Sequence, residues 1–230
     1  MSGRGASSGM APLAPQLPAD LRRILPADTT QTWTTLAPEL PPELYLGGGT
    51  AVAVHLKHRG SRDLDFFFHQ SVDLDELEKL ISGLGPFAVT YKDEGTRKGV
   101  FSETKLEIFD ASALEQLAPP TEVAGLRIAS MQDLMAMKIK VMAERGEMRD
   151  YFDVKTIDED GGISVEEGIE LYIERYGVDP TSSSMRQLYL AMGHLDDVEP
   201  DESLPISKEE LAAWWRKRQA QVLRNSSRFS

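Results

Sequence analysis

The stretch LGGGTAVAVHLKHRGSRDLDFF, Leu46 to Phe67, constrains the fold more than any other part of the chain. Leu44, Tyr45 and Leu46 form a short apolar run that ends in Gly47-Gly48-Gly49, after which Thr50 can cap a helix carrying Ala51, Val52, Val54 and Leu56. RDLDFFFH then alternates, so that Leu64, Phe66 and Phe68 fall on one face of a strand and Asp63, Asp65 and Phe67 on the other. Strand, glycine turn, helix and strand follow in immediate succession, and the second strand aims two carboxylates at one side.

The remaining pattern divides in two. DLDELEKLIS sets Leu74, Leu77, Leu80 and Ile81 at helical spacing. FAVTYK (Phe87 to Lys92) and TKLEIFD (Thr104 to Asp110) read as strands joined as a hairpin by the polar DEGTRKG connection. In the second of these, Lys105, Glu107 and Phe109 share one face and Leu106 and Ile108 the other. Pro119-Pro120 marks a break, and GLRIAS leads into a helical half. There Ser130 with Asp133, Ser164 with Glu167, and Ser207 with Glu210 match the capping-box spacing. Helices are predicted at about 131–145, 149–157, 164–176, 182–192 and 207–223. The expected fold is α+β: a small mixed-sheet core over residues 19–125, then a C-terminal helical bundle over 126–230, preceded by a flexible Gly/Ser/Ala/Pro-rich arm at 1–18.

Composition narrows the chemistry. The 230 residues include no cysteine, which excludes disulfides, thiolate zinc sites and cysteine nucleophiles and leaves carboxylates, lysines and four scattered histidines. His55 and His58 stand three apart, but His69 and His194 are distant, and no HExxH-type spacing occurs. No apolar run has signal-peptide or membrane-spanning character, so a cytoplasmic protein with no membrane partner is expected. The net charge of −12 argues against a general nucleic-acid coat. It is unevenly placed: Thr156 to Leu204 holds 13 Asp plus Glu against Arg175 and Arg186, a net of −11. Basic islands stand elsewhere, at Lys57, Arg59 and Arg62 and at Arg216, Lys217, Arg218, Arg224 and Arg228. Such islands are compatible with solvated surface and with a polyanion partner.

Asp63 and Asp65, two residues apart on a strand, stand roughly 6–7 Å apart along the chain. They can approach one divalent cation if the strand end bends, and magnesium favours such hard oxygens, completing its shell from water and substrate phosphates. The glycine turn supplies the other half, since glycine lets backbone approach phosphate and the helix N-terminus presents free N–H groups to an anion. Farther on, Leu134, Lys138, Val141 and Arg145 lie within about 60° on one helical stripe. Two cations on an otherwise apolar stripe are costly unless they meet anions. The alternative is that Lys138 reaches the surface or pairs with Asp133.

GGGTAVAVHLKHRGSRDLDFF resembles the signature of the AbiEii/AbiGii-type, MenT-like nucleotidyltransferase toxins of type IV toxin–antitoxin systems, within the DNA polymerase β-like nucleotidyltransferase superfamily. Ser61 stands two residues before Asp63, as in that family's Ser-x-Asp-x-Asp pattern, and DLMAMKIKVMAERGEMRDYFDV (Asp133 to Val154) resembles its second signature, an inward lysine followed by Arg-Asp and a further Asp. The likeness spans roughly Tyr45 to Val154. It implies that residues 19–125 are a nucleotidyltransferase core. Asp63 and Asp65 would be catalytic carboxylates holding Mg2+, and Gly48, Gly49, Thr50, Ser61 and Arg145 would hold the nucleotide, with Lys138 on the triphosphate. Glu107 would be the third carboxylate, and Asp150 and Asp153 the later acidic positions, either of which could face the cleft. The implied activity is transfer of NMP from an NTP to the 3′ end of tRNA, blocking aminoacylation and translation, with a cognate antitoxin protein as partner. A phosphate on Ser61 would add about −1.5 to −2 charge beside the aspartates and repel a triphosphate.

Other readings remain open at this level. A protein or small-molecule acceptor uses the same metal logic, and a non-catalytic interaction module could keep the fold. TIDEDGGISVEE places Asp158, Asp160, Gly161, Ile163 and Glu167 at calcium-loop positions, but Thr156 stands where the first ligand belongs, so an ordinary helix–loop–helix is expected. Trp214-Trp215 reads as core packing or an interface rather than a base-stacking platform.

Overall fold

The structure, a computed structural model, describes residues 17–226. Most of the expected N-terminal arm, and Arg228, lie outside the described residues. The glycine-bearing unit forms as its sequence pattern predicts. β1 (Tyr45–Gly47) runs directly into α3 (Gly48–Leu56), after the short helices α1 (Leu21–Ile24) and α2 (Ala27–Leu36), and β2 (Leu64–Phe68) returns antiparallel to β1. α4 (Leu74–Leu84) follows, capped by the Asp73 carboxylate, which accepts from the Asp75 and Glu76 backbone N–H groups.

The predicted two-stranded hairpin is a three-stranded meander. Between β3 (Phe87–Lys92) and β5 (Thr104–Asp110) the supposed connection forms β4 (Thr96–Phe101), which pairs with both neighbours. TRKGVF lacks an apolar alternation because only one of its three inward residues, Arg97, Gly99 and Phe101, is a large hydrophobic. Arg97 is buried and donates to Glu78 at 3.0 Å and to Asp75 at 2.5 Å on α4. A second hairpin was also missed: β6 (Thr121–Val123) and β7 (Leu126–Ile128) pair antiparallel, and β7 joins β1 in parallel. The mixed sheet has the order β3-β4-β5-β2-β1-β7-β6.

β2 and β5 run parallel with Asp65 opposite Glu107 and Phe67 opposite Phe109. Leu64, Phe66, Phe68, Leu106 and Ile108 are buried on one face of this pair, each worth about 1.5–3 kcal/mol of transfer free energy. The other face presents Asp65, Phe67, Glu107 and Phe109, all half-buried.

The second half is helical as expected: α5 (Met131–Glu144), α6 (Met148–Asp160), α7 (Val165–Tyr176), α8 (Ser183–Gly193) and α9 (Lys208–Ser226). Ser164 and Glu167 form a reciprocal capping box. α5 is the hub, packing against α6, α7 and α8 and against α3. Asp133 does not pair with Lys138. It binds the fully buried Arg175, which also donates to the Tyr45 hydroxyl and the Glu115 carbonyl, tying α7 and α5 to β1. Trp215 is fully buried, edge-on to Tyr151 at 5.6 Å, and donates to the Tyr151 carbonyl at 3.2 Å. The calcium-loop resemblance dissolves: Thr156, Asp158 and Asp160 lie in α6, and Asp158 accepts from Arg218 and from the Val165 N–H. Among the described residues no helix is long and apolar enough to cross a membrane.

Candidate active site

Each of the three glycines makes room for a different neighbour. A Cβ on Gly47 would stand 2.6 Å from the Phe67 ring, one on Gly48 2.1 Å from Asp65 Oδ2, and one on Gly49 2.5 Å from the Arg59 guanidinium and 3.6 Å from Lys138 Nζ. Gly48 also has φ +64°, a conformation that L-residues adopt at a cost. The helix starts at Gly48, so Gly47 occupies the N-cap and Thr50 falls inside the first turn. Thr50 therefore does not cap. Its hydroxyl hydrogen-bonds Ser61 Oγ at 2.7 Å and donates to the Asp63 carbonyl. This pins the loop carrying Ser61 and Asp63 against the start of α3, where the first N–H groups have no intrahelical acceptor.

Three carboxylates line the cleft beside that helix end: Asp63 just ahead of β2, Asp65 within it, and Glu107 across the parallel ladder. Burial pushes the Asp65 carboxyl up to about 6, with the charges of Glu107 and then Asp63 adding to the effect. Glu107 is partly balanced by Lys105 at 3.1 Å and Lys98 at 3.5 Å. Among the described residues no three ligating side chains converge on a preformed metal site. A cation at Asp63 and Asp65 would thus complete its shell from water and substrate oxygens, and the like-charge crowding at Asp65 is the arrangement such a cation relieves.

Lys138 is buried at the cleft wall. It donates to Asp150 Oδ1 at 2.8 Å and lies 2.7 Å from Asp153 Oδ2. Burial pulls its ammonium down, but Asp153 and Asp150 outweigh that and hold it above the usual lysine value. Asp153 also takes a two-pronged bond from Arg59, with Nε at 2.6 Å and Nη2 at 2.8 Å, and lies 2.7 Å from His58 Nε2. Burial alone would raise the Asp153 carboxyl, but Lys138 and Arg59 hold it well below the usual carboxylate range. The second oxygen of Asp150 lies 3.5 Å from Arg145 Nε. Both aspartates are fully buried behind Lys138. Neither lines the cleft. They position the lysine and, through Asp153, Arg59. Arg145 lines the cleft from the C-terminal end of α5, half-exposed.

The model of the nucleotidyl transferase AbiEii toxin family, type IV toxin–antitoxin system, matches residues 34–228. The chain belongs to this family. An uncharacterised protein of Aquifex aeolicus is 26% identical over 137 residues, 58% of this chain, and the alignment covers 66% of that relative, just under two thirds of its length. Two solved structures share the fold. The nucleotidyltransferase toxin MenT4 of Mycobacterium tuberculosis has a TM-score of 0.53 and 17% identity, covering 86% of each chain. The antibiotic-resistance factor ANT(2″)-Ia has a TM-score of 0.51 and 19% identity, covering 72% of this chain and 96% of its own.

In this family member the structure brings together Gly48, Gly49, Thr50, Ser61, Asp63, Asp65, Glu107, Lys138 and Arg145 around one cleft, and sets Asp150 and Asp153 behind it. Sequence reasoning missed Arg59, read only as part of a basic island, along with Lys105 and Arg149, which also line the cleft. The position of Arg59 between the glycine turn and the aspartates was the available signal. Its partner Asp153 is 94 residues away and could not be read from spacing.

Proposed function

We propose that the chain is a cytoplasmic toxin that transfers a nucleoside monophosphate from an NTP to the 3′ end of tRNA, so that the tRNA can no longer be aminoacylated and translation stops. The observation that carries nucleotidyl transfer is the meeting of Asp63, Asp65 and Glu107 with Lys138, Arg59 and the glycine-led start of α3 in one cleft. Membership of a type IV toxin–antitoxin family supports the toxin role and a cognate antitoxin partner.

The triphosphate lies over Gly48 and Gly49, where free N–H groups at the helix start donate to its oxygens and Lys138 and Arg59 face it from the side. Asp63 and Asp65 would hold Mg2+, which when bound supplies neutralisation of the triphosphate charge. Glu107 orients the attacking 3′-hydroxyl and takes its proton as the new P–O bond forms at the α-phosphorus and the bond to the pyrophosphate leaving group breaks. Asp150 and Asp153 keep Lys138 charged and fixed throughout.

The test is incubation of the chain, and of Asp63→Ala, with each labelled NTP and total tRNA. Label at the tRNA 3′ end with wild type alone supports the reading. Label entering only protein or a small molecule overturns the tRNA acceptor, and equal labelling by Asp63→Ala overturns the assignment of the site.

A further inference from the structure

The carboxylate ladder continues into an aromatic one. Two residues beyond the Asp65–Glu107 pair, on the same face of the same parallel strands, Phe67 stands opposite Phe109, roughly 6–7 Å farther along the sheet. Their rings stack at 5.2 Å between centroids and 27° between planes. Phe67 also packs against the core, its ring stacked on the buried Tyr45 at 5.9 Å, whereas Phe109 stands outside the core, which Leu64, Phe66, Phe68, Leu106 and Ile108 fill from the opposite face of these strands. Both are half-buried and line a cleft that is continuous with the carboxylate site, the two sharing Gly49, Asp65, Glu107, Lys138 and Arg145. Gly47 makes room for the Phe67 ring, which comes so close that a Cβ there would stand 2.6 Å from it. Lys98 Nζ sits 5.0 Å from the centre of the Phe109 ring, and across the cleft Tyr176 lies under Lys140 at 5.6 Å.

An aromatic surface one strand repeat from a phosphate site, with Tyr176 on the same cleft and a lysine over each of the Phe109 and Tyr176 rings, matches the chemistry of a nucleobase: a flat π-face to stack and polar edges to read. We infer that the Phe67–Phe109 shelf is the nucleobase subsite of this enzyme, with Phe109 its main stacking surface. The inference rests on the nucleotidyl-transfer reading above and deepens it. The base that stacks there belongs either to the donor nucleotide or to the terminal nucleoside of the acceptor; the ligand chemistry is the same.

The experiment compares wild type, Phe109→Ala and the volume-keeping Phe109→Leu in calorimetric binding of three probes: the four α,β-methylene NTPs, inorganic tripolyphosphate, and a short single-stranded RNA. Loss of one stacked base predicts about 5- to 150-fold weaker binding of the nucleotide or RNA probe in the alanine variant. Tripolyphosphate, which has no base, should stay within about twofold of wild type. Loss in the NTP arm alone assigns the shelf to the donor base, and loss in the RNA arm alone assigns it to the acceptor base. Equal weakening of tripolyphosphate and NTP, or no weakening in either base-bearing arm, overturns the subsite while leaving nucleotidyl transfer standing. Failure of wild type to bind NTP and tripolyphosphate at all overturns both readings together. Phe109→Leu, which keeps an apolar side chain but removes the ring, should fold as wild type and lose affinity in the same arm.

Discussion

Gly48 and Asp65 are fitted to each other: a Cβ on the glycine would lie 2.1 Å from Oδ2 of the aspartate, and the glycine itself holds φ at +64°. Gly48→Ala therefore combines a left-handed penalty of about 1–2 kcal/mol with displacement of a carboxylate. The expected outcome is a loss of about 2 kcal/mol in urea denaturation together with at least a tenfold loss in nucleotide transfer. Gly49→Ala carries no left-handed penalty and meets the Arg59 guanidinium instead of a cleft carboxylate, so it should cost less stability. Equal effects of the two substitutions would contradict the fit.

Asp65 occupies a place where its charge is unwelcome to the fold. It is buried and crowded by Glu107 and Asp63, and its carboxyl is raised to about 6. Asp65→Asn removes that repulsion while keeping the shape, so the ligand-free protein should gain about 1–2 kcal/mol and melt a few degrees higher at pH 7.5, with transfer abolished. Thermal melts in the absence of nucleotide and divalent cation measure it. An unchanged or lower melting temperature would mean that the three carboxylates do not strain one another.

The strand–turn–helix–strand unit was legible because its signals are local: alternation at Leu64 to Phe68, consecutive glycines, and a short apolar helix. The helices of the second half were legible for the same reason, from serine caps followed by apolar periodicity. β4 was not, because its inward residues include Gly99 and Arg97, and the burial of Arg97 depends on carboxylates of α4 about twenty residues earlier. Thr50 misled because a threonine after glycines is a good cap in isolation, whereas the cap here is Gly47, three residues sooner. Asp63 and Asp65 could be named from their spacing and Glu107 from the family resemblance, but the long-range pairing of Asp153 with Arg59 and Lys138 comes only from packing α6 against α3 and α5.

Lys138 satisfies two buried aspartates at once, so removing it leaves buried charge behind. Lys138→Met should destabilise by about 3–5 kcal/mol and reduce transfer at least a hundredfold. Adding Asp150→Asn to Lys138→Met removes one uncompensated charge while Asp153 retains Arg59 and His58. The double variant should recover much of the stability and none of the activity, measured by denaturation and single-turnover labelling. Recovery of both would assign Lys138 a purely structural role.

Asp153 supplies a pH dependence whose sign follows from its surroundings. Burial alone would raise its carboxyl, but Lys138 and Arg59 hold it well below the usual carboxylate range. Below pH 4 the unfolded chain therefore binds a proton that the folded chain refuses, so the contribution of Asp153 is complete above the ordinary carboxylate value and is lost as pH falls beneath it. Asp153→Asn lacks the charge at every pH and leaves Lys138 and Arg59 facing one another more directly. It should be less stable than wild type by about 3–5 kcal/mol at pH 7, with the difference shrinking steadily between pH 4 and pH 3. Urea midpoints across that range decide the matter. A difference that stays constant to pH 3 would mean that Asp153 contributes through shape and hydrogen bonding alone. A difference that closes would show that its charge holds Arg59 and Lys138 in place beside Gly49.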